Sequence, residues 1–296
     1  MPVTPPRPSD QTPVLLALGS VSLVWGLNWV VMKTALLHAG AFEFAAMRLW
    51  LAVLLVFSCI FFLRRPWRVA RPAAVALTGF FQTGLTTALT LWGLSTGSAG
   101  KNAVLCYAMP FWVALLAWPF LGERPSPRQW MAIGLAALGI GLLFGGDLHG
   151  TQAEFAALGS GMSWALGIVL TKKLNVANAT DPLAFSAWQT ATGAVALTLM
   201  MFILPGAAPD HSIALWSALI YNAVLVYGVI WFLWFWILQK LDAGVASLGT
   251  LAVPVVGVVS GMVFLSERPS PQEWAGIVLM LLALALTASV AAQRRV

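Results

Sequence analysis

Long uninterrupted apolar runs limit this chain more than any other feature. Ten follow one another: Val14–Met32, Phe44–Leu63, Ala73–Leu94, Ala103–Phe120, Trp130–Gly146, Ala153–Thr171, Leu183–Leu204, Ile213–Leu238, Val245–Leu265 and Trp274–Ala292. A helix that crosses a bilayer needs about 20 apolar residues, and each run is close to that length. Barrel strands would instead alternate over about ten residues. The connections are short, roughly ten residues, as in helix hairpins. The expectation is an all-α integral membrane protein with ten transmembrane helices and no extramembrane domain. Composition agrees: of 296 residues 60% are hydrophobic and only 9% charged, against about 25% charged in soluble domains. Mean hydropathy is +0.86. A soluble enzyme, a secreted module and a disordered chain are excluded. Residues 1–13, rich in proline, read as a loose tail, and the run that follows is too long for a signal-peptide core.

The net charge of +6 reflects topology. Arg7, Arg64, Arg65, Arg68, Arg71, Arg124, Arg128, Lys172, Lys173, Lys240, Arg294 and Arg295 fall on one side of a ten-span layout. Lys33, Lys101 and Arg268 fall on the other, and Arg48 lies within the second run. Basic residues stay on the cytoplasmic side, so both termini are expected in the cytoplasm and the protein in the inner membrane. No nucleic-acid partner is needed to explain the charge. Cys59 and Cys106 lie inside apolar runs and read as small buried hydrophobes. Two separated cysteines build neither a disulfide framework nor a metal cluster.

A repeat runs through the chain. Ala108–Trp130 (AMPFWVALLAWPFLGERPSPRQW) aligns without a gap on Ala252–Trp274 (AVPVVGVVSGMVFLSERPSPQEW) at an offset of 144. Pro110 meets Pro254, Glu123 meets Glu267, and the five residues ERPSP are identical. At an offset of 139, Trp25 and Lys33 meet Trp164 and Lys172. Residues 14–146 and 153–292 are therefore two related units of five helices each. Because five is odd, the second unit enters the membrane upside down, and the two ERPSP loops face opposite sides. Inverted repeats of this kind underlie many secondary transporters.

With these features the chain resembles the EamA family of the drug/metabolite transporter superfamily. The residues that carry the resemblance are Trp25-Gly26, Pro110 to Pro127 and Pro254 to Pro271. It implies a central cavity lined by helices one, three, four, six, eight and nine, and a small-molecule substrate. Similar members export amino acids and related metabolites, and one branch, the YddG type, exports aromatic amino acids.

Polar residues inside the runs are candidate cavity residues, because lipid cannot satisfy them. Asn28 lies one turn after Trp25. Gln82, Thr86 and Thr90 form one stripe at i, i+4 and i+8, suited either to cavity lining or to helix-to-helix hydrogen bonds. Gly159, Ser163 and Gly167 share that spacing, which suits close packing. Trp25 and Trp164, at repeat-related depth, would suit an apolar or aromatic side chain. Tyr227, Trp231 and Trp234 form a face that could stack on a flat substrate, pack, or meet lipid. Pro110 and Pro254 are expected mid-helix, each releasing a carbonyl four residues back, Cys106 and Thr250. Paired helix breaks point to a binding site, with a plain kink as the alternative. Lys101, beside Asn102 as expected N-cap, would draw a carboxylate, or else snorkel to headgroups.

Two enzyme-like patterns mislead. Gly93–Gly97 fits G-x-S-x-G, but it ends a membrane run and His38, His149 and His211 lie in loops. Gly100-Lys101 lacks the rest of a P-loop. All ten acids lie at helix ends or in loops, so no intramembrane carboxylate relay is visible. The expectation is a secondary transporter, not an enzyme. It would export amino acids or similar metabolites, need no cofactor or metal, and run on the solute gradient or a proton.

Overall fold

The computed structural model describes residues 8–145, 151–176, 180–240 and 251–293. They form helices, with no strand among the described residues. We number ten rods in chain order: α1 (Pro8–Ala35), α2 (Ala41–Phe62), α3 (Pro72–Thr96), α4 (Ala99–Leu121), α5 (Pro127–Leu143), α6 (Gln152–Lys173), α7 (Pro182–Ile203), α8 (Ile213–Lys240), α9 (Ala252–Leu265) and α10 (Pro271–Gln293). Eight are long and apolar enough to cross a membrane. The other two are α5, with 17 residues, and α9, with 14. The expected ninth run starts at Val245, and residues 241–250 lie outside the described ones. The expectation of ten full spans is thus met in eight rods. Exposed Leu54, Phe61, Phe62, Leu199, Phe202, Val263 and Phe264 coat the bundle with apolar surface, as a lipid-facing exterior requires.

The rods start where local chemistry satisfies free amides. Ser98, Ser126, Asp181 and Ser212 each accept a backbone N–H at the start of α4, α5, α7 and α8. The repeated ERPSP motif is in large part such a start. Ser126 with Gln129, and Ser270 with Glu273, form reciprocal capping boxes behind Pro127 and Pro271. The rod before each motif ends in a left-handed residue, Gly122 (φ 74) and, at the matching place, Ser266 (φ 56).

Three rods are interrupted. α3 carries a π segment at Phe80–Leu85, and α8 carries one at Tyr221–Ile230. α4 breaks between Cys106 and Met109.

Side-chain links join the ends that an odd-numbered repeat puts on one side. At the end expected outside, His38 Nδ1 meets Asp210 Oδ2 at 2.7 Å, Glu43 Oε1 accepts the Gly206 N–H at 2.7 Å, and Lys101 meets Glu154 and Glu273. At the opposite end Glu123 pairs with Lys172, and Arg71 donates to the Leu174 carbonyl at 2.8 Å. The two ERPSP glutamates therefore sit at opposite ends of the bundle. Between the ends, helices meet through glycines. A Cβ on Gly167 would stand 2.9 Å from the Gln82 backbone, one on Gly161 2.7 Å from the Cys106 carbonyl, and one on Gly26 2.4 Å from the Val256 side chain.

Candidate functional site

The two ERPSP glutamates, identical in sequence, have different surroundings. Glu267 is half-buried. Its Oε1 accepts the Ala99 N–H at 2.5 Å and its Oε2 the Gly100 N–H at 3.0 Å, so it caps the start of α4. Lys33 is in electrostatic reach and donates to the carbonyls of Leu94 at 2.7 Å and Gly97 at 2.9 Å, closing the end of α3. Glu123 is exposed and meets Lys172, the repeat counterpart of Lys33.

Lys101 does not offer a free charge. Its Nζ lies 2.7 Å from both Glu154 and Glu273, carboxylates from α6 and α10. The N-cap of α4 is Ser98, three residues before Lys101, and Asn102 instead donates to the Ser98 and Gly93 carbonyls. A cation already held by two carboxylates has little left for a third, and Glu267 covers the helix N-terminus. The expectation that Asn102 is the N-cap is corrected to Ser98, and Lys101 lies in an ion pair that a substrate carboxylate would have to enter. The depression around it, about 280 Å³, is flanked by Glu154 and Glu273.

The polar stripe of α3 is engaged between helices. Gln82 Oε1 accepts from Gln189 of α7 at 3.2 Å. Thr86 donates to the Phe81 carbonyl at 2.9 Å and approaches the Ser160 carbonyl at 3.3 Å. Ser163 of α6 donates to the same Phe81 carbonyl at 2.8 Å. That carbonyl also accepts the backbone N–H of Thr86, five residues on, in the π pattern. Thr90 faces Cys106, whose Sγ lies 2.8 Å from Ser160 Oγ. Of the two readings open for the stripe, helix-to-helix hydrogen bonding describes these contacts.

Pro110 stands in the first turn of the second half of α4, after the break at Tyr107 and Ala108, and not inside a continuous helix. A proline there needs no N–H partner. The Cys106 carbonyl faces Gly161 of α6. Pro254 is buried and is the third residue of α9; Thr250 lies outside the described residues. Trp164 is half-buried on α6. Trp25 is half-buried and meets Trp234 of α8 with ring centroids 5.9 Å apart. The side chain of Trp231 lies outside the described ones.

One cluster brings the expected cavity residues Asn28 and Tyr227 around a residue that was not singled out from the sequence. Arg48 of α2 is 5% exposed. Its Nη1 lies 2.8 Å from Met32 Sδ of α1 and 2.9 Å from Asn222 Oδ1 of α8, while its buried Nε has no hydrogen-bond partner. The guanidinium carbon stands 5.9 Å from the Phe44 ring and 5.9 Å from the Tyr227 ring. Among the described residues no carboxylate pairs with it. Asn222 is oriented by its own donation to the Ala218 carbonyl at 3.0 Å. Asn222 and Tyr227 are five residues apart, which in an α-helix turns them about 140° from each other. The π segment over both brings i and i+5 onto one face, so both reach Arg48. One turn before Met32, buried Asn28 keeps an unpartnered Oδ1. The sequence signal for Arg48 was its place as a lone cation inside an apolar run.

Known proteins agree with this architecture. The model of the EamA-like transporter family matches residues 12–145 and again 151–289. The chain is 27% identical over 266 residues to "Uncharacterized transporter YoaV" of Bacillus subtilis (strain 168), covering 86% of this chain and 89% of that protein. It is 28% identical over 279 residues to "Probable amino-acid metabolite efflux pump" of Escherichia coli (strain K12), covering 88% and 90%. A solved crystal structure shares the fold at a TM-score of 0.61, with 16% identity and coverage of 96% of this chain and 99% of that one. Two consecutive matches that together span most of the residues, one in each half of the repeat, show that the chain belongs to the EamA-like transporter family.

Proposed function

We propose that this transporter exports amino acids, aromatic or apolar ones among them, and related small metabolites across the inner membrane by alternating access, with both termini in the cytoplasm. The observation that carries the reading is the asymmetry of the repeated glutamates: Glu267 is bound into the start of α4 at one end, while Glu123 lies on the surface at the other. Two related halves with one end tied and the other loose suit a carrier that opens to each side in turn. The likeness to a relative named as an amino-acid metabolite efflux pump supports the solute class. The driving force is the solute gradient or a proton.

Purified protein in liposomes, screened with radiolabelled amino acids with and without a pH gradient, tests this. The expected result is saturable counterflow of one class of amino acid. Folded protein that moves no amino acid would overturn the reading, and the pH-gradient arm separates the two driving forces.

A further inference from the structure

Arg48 poses an energetic problem. It lies seven residues past the start of α2, about 10 Å along the helix axis. Asn28 lies seven residues before the end of α1, again about 10 Å from the same end of the bundle. Asn222 is nine residues into α8, about 14 Å from that end. The three share one depth, below the headgroups. A guanidinium at that depth needs strong acceptors, since even after relaxation an ion buried without compensation costs several kcal/mol. The acceptors present are a thioether and one amide oxygen, Met32 Sδ and Asn222 Oδ1. Neither carries a charge, and Nε has no partner. A structural staple between α1, α2 and α8 would need no charge, and a neutral side chain would hold those helices at lower cost.

We infer that Arg48 is the counter-ion for the carboxylate of the transported amino acid, and that Asn28 Oδ1 accepts from its ammonium group. The inference rests on the exporter reading above and names the site within it. The guanidinium supplies forked donors matched to a carboxylate. Asn28 supplies an unpaired acceptor, one helical turn from Met32 on the same face of α1. The Phe44 and Tyr227 rings, already against Arg48, form an apolar wall for the substrate side chain. A solute with both a carboxylate and an ammonium group satisfies both orphan atoms. A simple amine or a simple acid satisfies only one.

The experiment uses proteoliposomes of wild type, Arg48→Lys, Arg48→Gln and Asn28→Val, each checked for a monodisperse fold. The amino acid carried best by wild type is competed with its amide and with its deaminated acid. Wild type is expected to prefer the amino acid over its amide by about tenfold or more. In Arg48→Gln that preference should fall to about twofold or less, with Arg48→Lys in between. Asn28→Val should keep the preference over the amide but lose the preference over the deaminated acid. A role confined to packing would change rates and leave both ratios as in wild type, and that result would overturn the inference. If Arg48→Gln does not fold, Asn28→Val and wild type decide: equal acceptance of amide and amino acid by wild type refutes the site. If wild type carries no amino acid, the exporter reading falls and the site with it. If wild type carries amino acids but Arg48→Gln keeps its ratio, only the site falls.

Discussion

Glu123 and Glu267 occupy the same place in the same five-residue motif, yet the structure predicts very different costs for the same substitution. In Glu267→Gln the amide keeps one acceptor oxygen and presents an NH2 to the second backbone N–H at the start of α4. One of the two hydrogen bonds, at 2.5 and 3.0 Å, is lost. A hydrogen bond to a charged group contributes about 1.5–3 kcal/mol. Removing the anion from a helix N-terminus forfeits roughly another 1 kcal/mol. Lys33 also loses its nearest opposite charge. The expected destabilisation is about 3 kcal/mol. Glu123→Gln removes an ion pair whose side chains are 50% and 62% exposed. Exposed pairs contribute about 0–1 kcal/mol, so about 0.5 kcal/mol is expected. Equilibrium unfolding in mixed micelles, titrated with a denaturing detergent, measures both variants. Equal losses, or a Glu267→Gln variant within about 0.5 kcal/mol of wild type, would refute the reasoning from cap geometry.

Further outcomes follow from other contacts. Lys101→Ala leaves Glu154 and Glu273 facing each other without their shared cation, and should cost about 2 kcal/mol, less than a fully buried pair because water reaches the site. Its preference between an amino acid and its amide should stay as in wild type, which counterflow measures. Gly167→Ala should lower the melting temperature well below that of Gly159→Ala: the first Cβ meets the Gln82 backbone at 2.9 Å, the second only Leu89 Cδ1 at 3.5 Å. Asp210 lies outside the spans, and the hydrogen bond from His38 is the main cause that holds its carboxyl down at about 2. A depressed carboxyl stabilises the fold above the unfolded value of about 3.9 and loses that contribution as pH falls through about 2. The melting difference between wild type and Asp210→Asn should therefore be full at pH 6 and shrink between pH 4 and pH 2. A difference that grows on acidification would contradict the assignment.

The starts of α5, α7 and α10 are legible in the sequence because their chemistry is local, whereas that of α4 was expected at Asn102 and lies at Ser98. The Ser-Pro pairs at 126–127 and 270–271 and the Asp-Pro pair at 181–182 each place a cap and a first-turn proline within two residues. The all-helical, two-repeat plan was legible for a related reason: it is written in run length and in one aligned motif. What was not legible depends on partners far away along the chain. Lys101 reads as a free cation until Glu154 and Glu273 are brought to it from 53 and 172 residues on. Arg48 was set aside in a charge count, since only the fold reveals that its neighbours at that depth are Met32, Asn222 and aromatic rings. Pro110 was expected mid-helix because the apolar run continues through it, and hydropathy does not register the break at Tyr107. The π segments were not read from the sequence, because hydropathy does not register a change in the backbone hydrogen-bond pattern.

That extra residue sets a register. Along Tyr221–Ile230 the backbone holds one residue more per turn than an α-helix would. Deleting any one residue between Asn222 and Tyr227 would let the rod close into regular α-helix, with better backbone geometry and an intact apolar run. The same deletion would place Tyr227 four residues after Asn222, which in a regular α-helix is only about 40° away and still on the same face, so the rod beyond would largely keep its register. Trp234 would then still face Trp25. In regular helix the same deletion would turn everything beyond it by about 100°, so the π segment makes 222–227 the stretch of α8 where the loss of one residue disturbs the rest of the rod least.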